Sequence, residues 1–213
     1  MAARPAWEPD GAPPAPTARD PLIGVLALQG GFQAHERVLA RLGAGVREVR
    51  VPRDLGGLEG LVIPGGESTT MTLGIEREGL AEALREPARH GMPVLGSCAG
   101  LIMLDREHLG LMDIRAERNA FGRQIRSFEA DIDFRGVQDG PVRGIFIRAP
   151  WIAEHGADVE ILAEIEGHAV AARQGHTLAV AFHSELGQDD RVHRLFLQWA
   201  SRFAVGRRAS PGR

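Results

Sequence analysis

Seven consecutive residues, Leu22 to Leu28 (LIGVLAL), carry no polar side chain, and Gln29-Gly30-Gly31 ends the run. A strand that faces water on one side alternates apolar with polar residues, so an unbroken apolar run describes a central strand covered on both faces. The next segment changes period: Phe32, His35, Val38, Leu39 and Leu42 fall on one helical stripe, with Gly43 as its stop. Arg47 to Val51 (REVRV) and Gly60 to Ile63 (GLVI) read as further strands. Helical segments run from about Thr70 to His90, and Pro93 to Gly96 (PVLG) is another short buried strand. Strand and helix periods in alternation predict an α/β fold built on a parallel sheet.

Beyond a helix that starts near Ala99 the character shifts. SFEADIDF, PVRGIFIR, ADVEILAEI, HAVAAR and HTLAVAF are strand-like segments at short intervals, expected as antiparallel additions to the parallel sheet. An amphipathic helix with Val192, Leu195, Phe196, Trp199 and Phe203 on one face closes the pattern. Residues 1–20 are rich in Pro and Ala with almost nothing to bury, the composition of a disordered extension. The folded domain is expected over 21–204, with 205–213 as a flexible tail.

Composition removes several classes of function. A chain of 213 residues with 44% hydrophobic content buries one substantial core. A net charge of -3 does not suit a nucleic acid partner, which needs a clustered positive face. Every Lys/Arg position is Arg, so mechanisms that require a Schiff-base or P-loop lysine are excluded. The single Cys cannot form an internal disulfide, and the scattered His residues match no zinc spacing, so no metal is expected. No apolar run reaches the length of a membrane span and the N-terminus lacks a secretory pattern; a cytoplasmic protein with a reduced thiol is expected.

That thiol sits in the sharpest local signal, Gly96-Ser97-Cys98-Ala99-Gly100, directly after a buried strand and before an apolar helix. This is a nucleophile elbow with Cys in the Ser position. The turn is strained, so the residues two before and two after the nucleophile must be small to avoid colliding with each other, and Gly96 and Gly100 are. A helix N-terminus also favours a thiolate, through free backbone N–H groups. The competing reading is a buried structural cysteine. His183, at the end of HTLAVAF, is the candidate base, with Glu185 two residues on to steady it and fix its tautomer. Pro64-Gly65-Gly66-Glu67-Ser68-Thr69-Thr70 lies between a strand and a helix, where two glycines let backbone N–H groups face an oxyanion. Taken alone it is an ordinary turn with Ser68 or Thr69 as the helix N-cap.

Together GSCAG, the downstream His-x-Glu and PGGEST resemble the class I (triad) glutamine amidotransferases, whose fold is a three-layer α/β/α sandwich with a largely parallel central sheet extended by antiparallel strands. Within that class the chain is similar to the glutaminase subunits of pyridoxal 5'-phosphate synthases. The resemblance rests on GVLALQG (24–30), LVIPGGESTTM (61–71), GSCAGLI (96–102), HLGLMD (108–113), ERNAFGRQ (117–124), SFEAD (127–131) and FIRAP (146–150). It implies that Cys98 attacks the glutamine amide and carries a glutamyl thioester, that His183 moves the protons, and that Glu185 orients His183. It implies an oxyanion hole from the backbone of Gly66 and Ala99, and glutamine contacts from Gly66, Glu67, Ser68, Arg118, Ile147 and Arg148. Guanidinium groups such as Arg118 and Arg148 suit a carboxylate. Gln29 is placed near the active site and the partner interface. The implied partner is the (β/α)8 synthase subunit, which receives the ammonia; no cofactor is implied on this chain. Ser184 departs from the Pro usual between the triad His and Glu, which loosens a backbone angle that Pro would fix.

Three other readings stay open: a glutaminase serving a different acceptor synthase, a cysteine peptidase or stress protein on a related α/β scaffold, and a domain that only scaffolds its partner. ERNAFGRQ and FIRAP argue against the first, and the second leaves PGGEST and the placement of His183 and Glu185 unexplained.

Overall fold

A computed structural model describes the chain over 20–118 and 127–209. The expected N-terminal extension, apart from Asp20, therefore lies outside the described residues, as do residues 119–126 of the ERNAFGRQ region and 210–213 of the expected tail.

A nine-stranded sheet runs in the order β2-β1-β3-β4-β11-β10-β8-β5, with β9 pairing on β10. Its centre is parallel: β1 (Leu22–Leu26) lies between β2 (Gly45–Val49) and β3 (Gly60–Ile63), followed by β4 (Val94–Ser97) and β11 (Thr177–Val180). Every residue of β3, β4 and β11 is buried, as expected of central strands covered on both faces, with Ser97 and Thr177 the polar members. Antiparallel strands β10 (His168–Gln174), β9 (Glu160–Ile165), β8 (Trp151–His155) and β5 (Ile114–Glu117) extend the sheet beyond β11.

Helices flank the sheet and complete the three-layer α/β/α arrangement. Helix α1 (Phe32–Arg41) meets the closing helix α5 (Arg191–Ala209) through His35 and His193, and α5 lays Phe196 and Ala200 over Gly60 of β3. Helices α2 (Ser68–Arg77), α3 (Leu80–Arg89) and α4 (Ala99–Leu104) form the other group. The helical segments expected from about Thr70 to His90 are α2 and α3, separated where Gly79, at φ +64°, turns the chain.

Four sequence expectations are corrected. REVRV is displaced: β2 begins at Gly45 and ends at Val49, where the chain leaves for a 3-10 turn at Pro52–Leu55. HTLAVAF is not an antiparallel addition, since β11 pairs parallel with β4 and sits in the middle of the sheet. SFEADIDF and PVRGIFIR do not join that sheet either; β6 (Ser127–Ile132) and β7 (Val142–Ile147) make a separate two-stranded ribbon. Its inner face is apolar, with Phe146 stacked on Phe128 and tilted against Phe182. Finally, α5 runs to Ala209, past the 204 boundary expected for the folded domain.

Candidate active site

In an open α/β sheet the loops at the carboxyl ends of the parallel strands form the natural ligand crevice. Three adjacent central strands deliver functional residues there: β3 leads into Gly65-Gly66-Glu67, β4 into Cys98, and β11 into His183 and Glu185. The ribbon strand β7 brings Ile147 and Arg148 over the same place, and Arg118 follows β5. The His183 N–H donates to Ile145 O at 2.8 Å, tying the loop after β11 to the ribbon.

Cys98 holds φ +49° and ψ −108°, a backbone conformation rare for a residue with a side chain. Such a residue costs on the order of 1–3 kcal/mol and persists where its surroundings over-determine it. The surroundings here are visible. The Cys98 N–H donates to Val180 O at 2.8 Å, locking the elbow to the neighbouring strand. A Cβ built on Gly96 would lie 2.6 Å from Gly100 O, and one on Gly100 would overlap Ile63 O, so both flanking glycines are sterically required. Ala99 is the first residue of α4, and first-turn N–H groups have no intrahelical acceptor. The sulfur is not sealed away: although only 6% of Cys98 is exposed, it lines a cleft of about 360 Å³.

The cleft collects nearly every residue singled out from the sequence: Gly66, Glu67, Ser68, Ala99, Arg118, Ile147, Arg148 and His183 line it beside Cys98. Ile102 and Pro150 also line it and had no separate sequence signal. Glu185 stands behind the cleft, buried, with Oε1 2.6 Å from His183 Nδ1. A carboxylate only accepts, so Nδ1 carries the proton and Nε2 is the nitrogen left for Cys98. Strand β11 ends at Val180, so His183 lies three residues past the strand and the His–Glu pair is made by the following loop.

The electrostatics follow from these contacts. Burial works to lower the His183 pKa, but hydrogen bonds to Cys98 and Glu185 outweigh it and hold the imidazole up to about 10. Burial works to raise Glu185, yet the facing imidazoles of His35 and His183 hold it down to about 2. The pair therefore favours imidazolium beside carboxylate.

The glycine loop is built differently from the expected turn. Glu67, not Ser68 or Thr69, is the N-cap of α2: its carboxylate accepts from Thr69 N at 3.0 Å, and from Thr70 N and Thr70 Oγ1 at 2.6 and 2.7 Å. Those bonds hold its carboxyl down to about 2. Gln29 clamps the loop from the other side, its Oε1 accepting from Glu67 N and its Nε2 donating to Glu67 O, both at 3.1 Å. Gly66, at φ +149°, leaves no room for a Cβ beside the Gln29 amide. On the opposite rim Arg118 donates to Thr69 Oγ1 at 3.3 Å. Among the described residues no group of three or more His, Cys, Asp or Glu is placed to hold a metal.

The largely parallel sheet flanked by helices, with the elbow cysteine, the carboxylate-steadied histidine and the glycine loop gathered at its carboxyl ends, places the fold in the glutamine amidotransferase class. The chain belongs to the SNO glutamine amidotransferase family, whose model matches residues 25–202. It is 52% identical over 186 residues to the pyridoxal 5'-phosphate synthase subunit PdxT of Streptomyces avermitilis, an alignment covering 83% of this chain and 92% of that one. It is 53% identical over 182 residues to the protein of the same name from Geobacillus thermodenitrificans, covering 82% and 93%. A solved structure described as a glutamine amidotransferase superposes with a TM-score of 0.79 at 43% identity, over 84% of this chain and 98% of the other.

Proposed function

We propose that this chain hydrolyses L-glutamine to L-glutamate and ammonia through Cys98, and that the ammonia passes to the synthase subunit of a pyridoxal 5'-phosphate synthase. The observation that carries the chemistry is one cleft in which Cys98 meets His183, two candidate N–H donors and two guanidinium groups. Arg118 and Arg148 suit the α-carboxylate of glutamine and would aim its amide at the sulfur. His183, as the imidazolium that the pair favours, already holds on Nε2 the proton shared with Cys98, and the sulfur bonds to the amide carbon. Backbone N–H groups of Gly66 and Ala99 receive the negative oxygen. His183 then protonates the leaving nitrogen, ammonia departs, and a glutamyl thioester remains. Water gives a proton to the same Nε2 as it releases glutamate, which returns the imidazolium and frees the sulfur. Glu185 keeps Nδ1–H in place throughout, so that Nε2 always faces the reaction.

Every step uses groups of this chain, so the reading invokes no resident metal or cofactor. The partner assignment is supported by the shared name of relatives that match along most of both chains. No described helix is long and apolar enough to cross a membrane, and we place the reaction in the cytoplasm, with no nucleic acid or membrane partner.

The test is glutamate release from glutamine, for the chain alone and mixed with the candidate synthase. Cys98→Ala and His183→Asn should each abolish it. Unchanged turnover in Cys98→Ala would refute the mechanism. Stimulation by a different acceptor enzyme, and by no pyridoxal 5'-phosphate synthase subunit, would reassign the partner.

A further inference from the structure

The mechanism above uses one face of Glu185 and leaves two buried histidines behind it without a task. His35, on α1, is fully buried and faces three polar groups. Its Nε2 is 2.9 Å from Ser97 Oγ and 3.3 Å from Glu185 Oε2, and its Nδ1 is 3.0 Å from His193 Nε2. His193, on α5, is equally buried, and its Nδ1 has no hydrogen-bond partner among the described residues. Glu185 Oε2 likewise accepts no regular hydrogen bond; its polar contact is His35 Nε2.

These facts select one arrangement of protons. Burial, the largest influence on both rings, holds His35 and His193 below the ordinary histidine range, so each carries one ring proton near neutrality. If His35 carried it on Nδ1, that N–H would donate to His193 Nε2 and leave His193 with a buried N–H on Nδ1 and no acceptor. His35 would also turn a bare lone pair on the Glu185 carboxylate. A buried donor without an acceptor costs about 1–3 kcal/mol, whereas an unfilled acceptor is tolerated more readily. With the protons on Nε2 of both rings, His193 donates to His35 Nδ1, and His35 presents its N–H to Ser97 Oγ and Glu185 Oε2. Only a lone pair on His193 Nδ1 is then left over.

We propose that His35 is a positioning residue for the triad: its Nε2–H holds the second oxygen of Glu185, and His193 fixes the tautomer that puts the proton there. The chain of polar contacts then runs His193, His35, Glu185, His183 and Cys98, with the Glu185 carboxylate accepting from the imidazoles on both sides and α5, α1, the loop after β11 and the elbow supplying its members. The proposal rests on the triad reading given above. It predicts an effect on turnover without one on substrate binding, because neither imidazole lines the cleft.

The groups that face this chain bound its pH behaviour. Glu185 is faced by His35 and His183, His183 by Cys98 and Glu185, and His193 by His35, Glu185 and, at longer range, Arg41. Removing the His35 donor makes the Glu185 carboxylate easier to protonate, so the acid limb of the kcat profile moves to higher pH.

The experiment is glutaminase kinetics of the full chain with its synthase partner, for wild type, His35→Leu and His35→Gln. A glutamine amide can place N–H near the Nε2 position, whereas leucine cannot. The expected result for His35→Leu is a kcat lower by up to about tenfold, the range for losing an ordinary polar contact. KM for glutamine should stay within about twofold, and the acid limb should shift upward. His35→Gln should recover most of the loss. A folded His35→Leu with wild-type kcat and acid limb overturns the proposal, and so does a folded His35→Gln no better than His35→Leu. Should either variant fail to fold, nitrogen-15 NMR of the wild-type imidazoles decides: protonated Nε2 on His35 and His193 is expected, and Nδ1–H on His35 overturns it. A wild type without glutaminase activity would instead sink the proposed function and leave the tautomer measurement interpretable.

Discussion

Gly65 is the position where a single methyl group tests the geometry of the active site most directly. Its backbone is not in the left-handed region, so alanine is conformationally acceptable there and any effect is steric. A Cβ at Gly65 would lie 2.5 Å from His183 Cε1, 3.1 Å from His183 Nδ1 and 3.3 Å from Cys98 Cβ. Carbon atoms rest about 3.5–4.0 Å apart, so the imidazole would have to retreat by about 1 Å. It can do so only by straining the 2.6 Å bond to Glu185 or by leaving Cys98. A displacement of about 1 Å in a reacting group costs roughly a hundredfold in rate, and overpacking by one methyl costs about 1–3 kcal/mol of stability. Gly65→Ala should therefore remain folded, with a modestly lower Tm and glutamate release down by about two orders of magnitude in the presence of the synthase. Turnover within threefold of wild type, with an unchanged melt, would show that His183 and Cys98 are not held where the structure puts them.

Gln29→Ala removes both bonds to the Glu67 backbone, each worth about 0.5–1.5 kcal/mol, and frees the Gly65-Gly66 loop. Glutaminase kcat should fall by about tenfold, and kinetics at saturating glutamine check it. Ser184 is buried and its hydroxyl has no partner among the described residues, so Ser184→Ala should leave stability unchanged or raise it by up to about 1 kcal/mol, read from denaturant unfolding. Stability should also peak near pH 6.5. The His183 pKa is raised in the folded state, so its contribution is complete below about 6.5 and is lost as pH climbs towards about 10. His193 is lowered to about 3, so the unfolded chain takes up the extra proton and stability is lost as pH falls from about 6.5 towards 3. Cys98→Ala removes one of the bonds that raise His183 and should flatten the alkaline side of the curve, as thermal melts across pH will show.

The parallel half of the fold was legible because burial on both faces writes itself into residue type: GLVI, PVLG and LIGVLAL admit no polar residue and sit where such strands must sit. The antiparallel half was harder to read. Ile114–Glu117 and Trp151–His155 carry Arg, Glu and His on half-exposed faces, and their strand character comes from pairing with each other. SFEADIDF and HTLAVAF look equally strand-like, but one leaves the main sheet and the other occupies its centre. What separates them is burial: β11 is buried at every residue, while β6 exposes alternate residues and packs only one face. An alternating pattern was therefore available as the signal that SFEADI lies on a one-sided ribbon.

Local motifs announced the site, and long-range pairing completed it. GSCAG could be read because Gly96 answers a steric demand within five residues, the close approach of Gly100 O. The His183–Glu185 pair could be read because the two residues are neighbours in sequence. His35 could not: on the helical stripe it occupies a core position, and nothing local distinguishes it from Val38 or Leu39. Its partners lie 62 and 158 residues away, at Ser97 and His193. A polar side chain on an otherwise apolar stripe is nonetheless a demand for a partner, because burial without one is costly. His193 makes the same demand on α5, between Val192 and Leu195. Two such demands in a chain with one elbow cysteine need a common answer, and the buried second oxygen of the carboxylate behind His183 is where the fold brings them together.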